Sequence, residues 1–423
     1  MQFIDGGVTS PLGFTANGML CGIKAGRTKN DTALIYSEKL CNAAGVFTQN
    51  RVKAECVKLT KKNIADGKAQ AVIANSGNAN ACTGDQGMKN ALREAEAVSK
   101  ALNVKKEDVI VCSTGVIGQQ LPVEVIENNV QKLASGLSKK GHEEARTAIM
   151  TTDTHYKECA VEFELGGKKV RIGAMCKGSG MIHINLGTML CFITTDCAIS
   201  SQMLENAVKK SVETTYNCVS IDGDTSTNDT LTILANGMAG NSEICAEGKD
   251  FDTFLSALNA INTQMAKKIA GDGEGASRLI ECNICGAKDD VTARRLAKSV
   301  ISSSLVKAAF FGKDANWGRI LCAMGYSGEE FDQEKTSVYF ESAEGSKRPG
   351  FTDFVGEQTG KRSKIEVFRN GVPLDFDEDL AKKILSEDEV QINIFLGDGS
   401  GKGTAWGCDL TYEYVKINGD YRT

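Results

Sequence analysis

The segment 177–196, KGSGMIHINLGTMLCFITTD, constrains the fold of this chain more than any other. A glycine-rich loop reaches the Gly187–Thr188 bond, and the apolar run 189–193 follows at once, which predicts a turn that enters a buried strand. The same pattern suits a chain that cuts itself before Thr188 and uses the new N-terminal threonine as a nucleophile. From this segment alone the plain turn is favoured, because Gly-Thr before an apolar run is common.

The self-cleaving alternative has a clear chemical basis. A threonine hydroxyl is a weak nucleophile and needs an adjacent base, which the exposed α-amine of the same residue can supply. That amine has an ordinary pKa of about 7.7–8.0, so a small downward shift leaves much of it unprotonated near neutral pH. The small Gly187 leaves room for the Oγ atom of Thr188 to attack the Gly187 carbonyl.

Composition and charge limit the function classes. The chain has 423 residues, 41% of them hydrophobic and 24% charged, which is ordinary for a globular protein with a substantial core. A net charge of −5 without a basic stripe argues against nucleic-acid binding. No apolar run approaches the ~20 residues that span a bilayer, and the N-terminus lacks a basic signal-peptide region. We therefore expect a cytoplasmic enzyme without a membrane partner.

The chain has 15 cysteines, which are scattered singly in apolar surroundings. In a reducing compartment such residues pack as small hydrophobic side chains. Cys282 and Cys285 form the single CxxC pair, and no second pair or histidine lies close to them in sequence. We therefore expect no metal site.

Periodicity predicts a mixed α/β (α+β) fold. Buried strands are expected at 71–74 and 109–112, each followed by a glycine-containing polar loop. A helix is expected over 201–215 with Ser201 as its cap, and another over 292–309. Further strands are expected in the C-terminal third, at 337–340, 364–369, 391–395 and 408–416.

Ten motifs in a fixed order give a family resemblance. They are GGVTSPLGF (6–14), GVFTQNRVKAECV (45–57), NSGNANACTG (75–84), STGVIGQQLP (113–122), MTTDTHYK (150–157), KGSGMIHINLGTML (177–190), SIDGDTSTNDT (220–230), GDGEGASRLIE (271–281), GKDANWGRI (312–320) and NGDYRT (418–423). Together they cover nearly the whole chain, which resembles the ornithine acetyltransferases, the glutamate N-acetyltransferases of arginine biosynthesis.

The resemblance implies a layered α/β sandwich of the type shared with self-cleaving aminopeptidases, with a smaller C-terminal α/β lobe. It implies autoproteolysis between Gly187 and Thr188 into an N-terminal chain 1–187 and a C-terminal chain 188–423, which assemble as an α2β2 heterotetramer. The implied reaction moves an acetyl group from N2-acetylornithine to glutamate through an acetyl-threonine, with no cofactor and with acetyl-CoA as a possible further donor.

Site residues are carried over by motif. Thr114 and Gly115 follow a predicted strand, and the resemblance implies that they form the oxyanion hole; the alternative is a plain strand-terminal turn. Lys177 is a cation in a glycine loop that could hold a substrate carboxylate, although a solvated surface lysine is the simpler interpretation. The resemblance further implies substrate contacts for four other residues, namely Thr154, Glu274, Asn418 and Thr423.

The sequence leaves open the rate of cleavage at Gly187–Thr188 and the identity of the acyl acceptor. The run before Thr188 departs from the family's usual MIHPNMATML at Ile184, Leu186 and Gly187, which relaxes the turn and could change the rate of cleavage. His183 is expected to be structural, because a free α-amine makes a histidine base unnecessary. An aminopeptidase or amidase of the same fold, with water as the acceptor, is the main rival function, and a non-catalytic amino-acid sensor is another.

Overall fold

The computed structural model describes residues 1–183, 189–348 and 360–419. The chain divides into two compact units that alternate along the sequence. Unit 1 comprises Met1–Gly178, Asn185–Glu213 and Thr225–Met265, and unit 2 comprises Ser179–Ile184, Thr214–Asp224 and Ala266–Thr423. Each unit combines one sheet with helices, so the predicted α/β class is confirmed. The unit boundaries differ from the predicted cut at 187/188, which stays a prediction.

Unit 1 contains, in its described residues, a nine-stranded mixed sheet in the order β1-β6-β7-β9-β11-β3-β4-β5, with β2 beside β3. The strands are β1 (Gln2–Ile4), β2 (Phe14–Met19), β3 (Thr32–Phe47), β4 (Lys68–Asn78), β5 (Val109–Val116), β6 (Lys157–Leu165), β7 (Lys168–Lys177), β9 (Leu190–Thr195) and β11 (Thr230–Ala235).

Both faces of this sheet are buried, which explains its near-continuous apolar runs. Along β4, Val72 belongs to one core cluster and its neighbour Ile73 to the other, and Ile110 and Val111 of β5 alternate in the same way. Strands at 71–74 and 109–112 are therefore confirmed. The helices of this unit are α1 (Glu55–Asn63), α2 (Gly84–Leu102), α3 (Val123–Ser135), α4 (His142–Ala148) and α5 (Ser201–Thr214).

Strand β9 begins two residues after Thr188. It pairs antiparallel with β7 and parallel with β11, and all six of its residues are buried. The predicted buried strand is thus confirmed for 190–193. The cap predicted for α5 is wrong: Ser200 Oγ accepts from Met203 N at 3.3 Å, whereas Ser201 is the first helical residue and donates to Gly67 O.

Unit 2 is built on a sheet that shows eight strands among the described residues, in the order β15-β14-β13-β16-β12-β17-β10-β8. These strands are β8 (Ile182–His183), β10 (Val219–Thr225), β12 (Leu279–Ala287), β13 (Ser337–Ala343), β14 (Arg362–Arg369), β15 (Val372–Pro373), β16 (Glu389–Phe395) and β17 (Gly401–Cys408). The strands predicted at 337–340, 364–369 and 391–395 are confirmed.

Helix α6 (Lys249–Gly271) is the longest helix among the described residues; its part up to Met265 belongs to unit 1 and its last residues belong to unit 2. The other helices of unit 2 are α7 (Asp290–Ser302), α8 (Ser304–Gly312), α9 (Trp317–Gly325), α10 (Glu378–Ile384) and α11 (Tyr412–Asn418). One continuous helix over 292–309 is wrong, because Ser303 leaves the helical conformation and caps α8 by accepting from Val306 N at 3.3 Å.

The strand predicted at 408–416 is also wrong. Strand β17 ends at Cys408, where the buried carboxylate of Asp409 accepts hydrogen bonds from the backbone N of Ser277 at 2.8 Å and of Arg278 at 3.1 Å. The alternating pattern beyond it belongs to helix α11. All 15 cysteines carry free thiols, and none of the described helices is long and apolar enough to cross a bilayer.

Candidate active site

The end of β5 in unit 1 requires a glycine at position 115. Gly115 has φ +135°, and a Cβ atom added there would lie 2.3 Å from the carbonyl carbon of Gly77 and 2.5 Å from the backbone N of Asn78. Only a residue without a side chain lets the ends of β4 and β5 approach this closely. Thr114 beside it is half-buried. The predicted oxyanion pair therefore lies within the last residues of β5, at an irregularity in its pairing with β4, and not in a turn after the strand.

Asn228 holds this end of β5 and was missed by the sequence analysis. Its buried side chain donates from Nδ2 to Ser113 O at 2.8 Å and to Ala79 O at 2.6 Å. The carbonyl of Ser113 belongs to the same peptide group as the N–H of Thr114, so Asn228 sets the plane of a predicted oxyanion donor. Its place in the motif 220–230 was the available signal.

The start of β9 lies beside the same group of residues. Thr230 N, two residues after Asn228, donates to Met189 O at 2.9 Å. On the other side, Lys177 of β7 is the register partner of Leu190. The backbone directly after the predicted nucleophile is thus held between Lys177 and the segment of Asn228 and Thr230. The same segment contacts the end of β5 through Asn228. Gly187 and Thr188, the predicted cleavage pair, lie outside the described residues.

Asp153 links the segment that contains Thr154 to the end of β7, where Lys177 lies. The Asp153 carboxylate accepts from Thr151 N at 3.1 Å and from Gly178 N at 2.8 Å, and its Oδ2 lies 3.9 Å from Lys177 Nζ. One buried side chain therefore clamps the turn 151–154 to the end of β7. Thr154 is exposed, and Lys177 is nearly buried with a side chain that is 10% exposed.

Lys157 completes this cluster. Its Nζ donates to Asp153 Oδ1 at 2.7 Å, and both side chains are 0% exposed. Burial alone would raise the pKa of Asp153, but the charges of Lys157 and Lys177 and the bond from Gly178 outweigh burial and hold the pKa well below its usual range. Asp153 is therefore ionised. Asp153 and Lys157 lie four residues apart in the motif 150–157, whereas the contacts of Asp153 with Gly178 and Lys177 depend on the tertiary structure.

In unit 2, the predicted substrate residues Glu274 and Asn418 lie together. Asn418 Nδ2, at the end of α11, donates to Glu274 Oε2 at 2.7 Å, and Glu274 is buried. Gly180 makes room for this carboxylate, since a Cβ there would lie 2.3 Å from the Glu274 carboxyl carbon. The C-terminal helix is therefore folded onto the loop 271–275. Thr423 lies outside the described residues.

Asp222 and Tyr414 extend the Glu274 cluster. Asp222 accepts from the backbone N of Ile182 at 2.8 Å and from that of Met181, which has φ +57°. Burial and then the charges of Asp222 and Glu274 raise the pKa of Tyr414, so this phenol stays protonated at neutral pH. The resulting group presents carboxylates together with hydrogen-bond donors.

His183 ends β8 in unit 2. Its Nδ1 lies 3.0 Å from Ser220 Oγ. Burial, and then the positive charge of Lys298, lower the pKa of His183 to about 4, so the ring is neutral at neutral pH. This placement is compatible with the predicted structural role. No group of three or more potential metal ligands occurs among the described residues.

Taken by itself, the unit 1 arrangement is suited to acyl transfer. The backbone at Thr114–Gly115 can present N–H groups to a developing oxyanion. Lys177, beside the start of β9, can hold an anionic substrate group. The Glu274 group in unit 2 can bind a cation or accept hydrogen bonds from one.

Comparison with known proteins gives a consistent result. The family model described as "ArgJ family" matches residues 15–423. The chain is similar to the arginine biosynthesis bifunctional protein ArgJ of Caldanaerobacter subterraneus subsp. tengcongensis, with 48% identity over 100% of both chains. It is also similar to the arginine biosynthesis bifunctional protein ArgJ 1 of Clostridium acetobutylicum, with 50% identity over 97% of this chain and 96% of the relative.

Among solved structures, the chain is similar to the ornithine acetyltransferase of Mycobacterium tuberculosis, which was crystallised in complex with ornithine. The identity is 40%, the match covers 43% of this chain and 96% of that chain, and the TM-score is 0.41.

Proposed function

The chain belongs to the ArgJ family, and from this membership we infer that it is a glutamate N-acetyltransferase of arginine biosynthesis. It moves the acetyl group of N2-acetyl-L-ornithine to L-glutamate, which yields L-ornithine and N-acetyl-L-glutamate. The structural observation that supports this proposal is the position of the start of β9. It lies between Lys177 and the segment of Asn228 and Thr230, and Asn228 also contacts the end of β5 beside Thr114.

The first half-reaction uses Thr188 as nucleophile after cleavage of the Gly187–Thr188 bond. Its Oγ attacks the acetyl carbonyl, and its own α-amine takes the hydroxyl proton. The negative charge that develops on the carbonyl oxygen is stabilised by the rigid donors of Thr114 and Gly115. The amide bond then breaks, ornithine leaves with a proton from the α-ammonium group, and the acetyl group stays on Thr188.

The second half-reaction reverses these steps with another amine. The α-amine of glutamate attacks the acetyl-threonine ester, the same oxyanion site is used, and Thr188 is restored. The sequence of events is therefore ping-pong. In this scheme Lys177 and Thr154 bind the amino-acid end that both substrates share.

The Glu274 group of unit 2 is the proposed contact for the substrate side chain. The carboxylate of Glu274 is suited to the side-chain ammonium of ornithine, and Asn418 and Thr423 are proposed as further substrate contacts from the motif 418–423. Because this group also holds hydrogen-bond donors, it offers contacts to the carboxylate side chain of glutamate as well.

Further properties are part of the same proposal. We expect two chains, 1–187 and 188–423, in an α2β2 assembly in the cytoplasm, and small molecules as the substrates. The printed name of the relatives calls them bifunctional, and acetyl-CoA is the proposed second acetyl donor for this chain. The rival aminopeptidase or amidase is not favoured, because the full-length relatives carry an arginine-biosynthesis name.

Substitution Thr188→Ala tests the proposal. We expect this variant to stay as one uncut chain of 45.2 kDa and to form no N-acetylglutamate, because both nucleophile and cleavage hydroxyl are lost. Intact-mass spectrometry and chromatographic product analysis with N2-acetylornithine and glutamate are the measurements. Full turnover by the variant would exclude the mechanism.

Thr188→Ser is the matched control, because it keeps a hydroxyl on the new N-terminus. It should be cut and retain measurable transfer. Release of free acetate by the wild type at the same rate with and without glutamate would instead favour the hydrolase.

A further inference from the structure

The Asp153 cluster of unit 1 holds more positive than negative charge. Asp153 and Lys157 are fully buried, and Lys177 is nearly so. The three groups together carry one negative and two positive charges. A buried charge without a partner is costly, so an excess of this kind marks a place where an anion is expected.

The two lysines share Asp153 unequally. Lys157 Nζ lies 2.7 Å from Oδ1, in hydrogen-bond contact, whereas Lys177 Nζ lies 3.9 Å from Oδ2. Asp153 Oδ1 also accepts from Gly178 N, and Oδ2 accepts from Thr151 N. Lys157 is therefore the closer counter-charge of Asp153, and Lys177 Nζ lies beyond hydrogen-bond distance of the single carboxylate that the two lysines share.

The positions of the two lysines determine which of them an anion can reach. Lys177 is the register partner of Leu190, near the predicted nucleophile, and its side chain is 10% exposed, whereas that of Lys157 is 0% exposed. Lys157 is enclosed at the start of β6, opposite Cys176. An anion that reaches the cluster therefore meets Lys177 and not Lys157.

We propose that Asp153 and Lys157 are positioning residues of the acyl-transfer site. Lys157 neutralises Asp153, so that Lys177 keeps its positive charge for the α-carboxylate that N2-acetylornithine and glutamate have in common. Asp153 at the same time fixes Lys177 relative to Thr154. This inference rests on the proposed function and adds two residues that act through Lys177.

Removal of the Lys157 charge tests the inference. In Lys157→Met, Asp153 keeps Lys177 as its remaining cation, and Lys177 is expected to close onto it. The KM values for N2-acetylornithine and glutamate should then rise about tenfold or more, the loss expected for a charged hydrogen bond, while kcat falls much less.

The double variant Asp153→Asn/Lys157→Met restores a single positive charge on Lys177. Its KM values should return to within about threefold of the wild type. A purely structural pair would not show this rescue, because the double variant removes more of the native contacts than the single one. A neutral pair of similar volume is expected to fold, since buried ion pairs are often replaced without loss of stability.

A substrate analogue gives a second readout. The wild type should strongly prefer N2-acetylornithine over its carboxamide, which lacks the α-carboxylate. This preference should shrink in Lys157→Met and return in the double variant. Lys168→Met, at the exposed opposite end of β7, is the matched control and should leave both KM values unchanged.

Each outcome decides the question. Unchanged KM values in Lys157→Met, failure of the double variant to recover them, or failure of both variants to fold would overturn the inference and assign the pair a structural role. Rates are normalised to cut chain by intact mass. A wild type that makes no N-acetylglutamate would contradict the proposed function instead, so the two failures are distinguishable.

Discussion

At the scale of single residues, Gly115 is the position where the backbone leaves least choice. Its φ of +135° and the 2.3 Å approach to Gly77 exclude a side chain. Gly115→Ala should add about 1–3 kcal/mol of backbone strain at the end of β5 and displace the proposed oxyanion donors. We expect kcat to fall about 10²–10³-fold, the loss typical of one missing oxyanion donor, in a steady-state assay of the cut enzyme.

Gly118→Ala is the control for this prediction. Gly118 also has a positive φ, +84°, but an added Cβ would meet nothing within 4 Å. It should lose about 1–2 kcal/mol of stability from the backbone conformation alone and keep its kcat. Equal losses of kcat in both variants would contradict the role given to the Gly77–Gly115 approach.

Motifs can indicate candidate site residues, but they cannot indicate the distant residues that these contact. Thr114, Lys177 and Glu274 were named from motifs, and their roles stay predictions. Asn228 lies 115 residues from the Ser113 carbonyl that it contacts, so its partner cannot be inferred from a single sequence. The same holds for Asp153 and Gly178, which lie 25 residues apart.

At the scale of elements, helix α2 has an acidic side chain, Glu94, on its buried face. Glu94 lies between Ala91 and Val98 on this face and is 0% exposed. Neither carboxyl oxygen has a hydrogen-bond partner in the part of the chain that the structure describes. Burial raises the pKa of Glu94 to about 8, so the group is mostly protonated at neutral pH.

This raised pKa predicts a pH-dependent stability. Between pH 4.5 and about 8 the folded protein holds a proton that the unfolded chain has lost, so rising pH favours unfolding. The stabilisation is complete below this range and is lost by its upper end. Relative to Glu94→Gln, the wild type should lose on the order of 5 kcal/mol of unfolding free energy across this pH range.

Denaturant titrations of both proteins at a series of pH values give the required difference. The variant keeps the shape of the side chain and cannot ionise, so it removes the contribution of Glu94 while other carboxylates titrate equally in both proteins. A difference that does not change between pH 5 and pH 8 would contradict the raised pKa.

Elements with one apolar face were easier to predict than their ends. The strands at 71–74 and 109–112 and the helix near 201–214 follow from periodicity alone. The break at Ser303 and the end of β17 at Cys408 do not, because they depend on a cap and on the distant backbone of Ser277 and Arg278.

At the scale of the whole molecule, the predicted cut falls within one sheet. Strands β9 and β11 follow residue 188, whereas β7 and β3, to which they pair, precede it. After cleavage the fragments would share a continuous hydrogen-bonded sheet and its buried core. They should therefore stay together without a peptide bond, as other packed elements do.

Native and denaturing mass measurements test this expectation. Under denaturing conditions we expect fragments of roughly 20 and 25 kDa, from the 45.2 kDa chain divided at 187/188. Under native conditions they should elute together, at about 90 kDa for the proposed α2β2 assembly. Separation of the fragments without denaturant would contradict the role of the shared sheet.

The sequence by itself determined the α/β class, the buried strands and the family, because periodic apolar residues and ordered motifs are local properties of the chain. Tertiary structure alone decided which charges meet. The approach of Lys177 Nζ to within 3.9 Å of the Asp153 carboxylate, the approach of Gly115 to Gly77 and the contact of Asn228 with Ser113 arise where segments distant in sequence pack together. Such contacts depend on three-dimensional proximity, which spacing along a single chain does not encode.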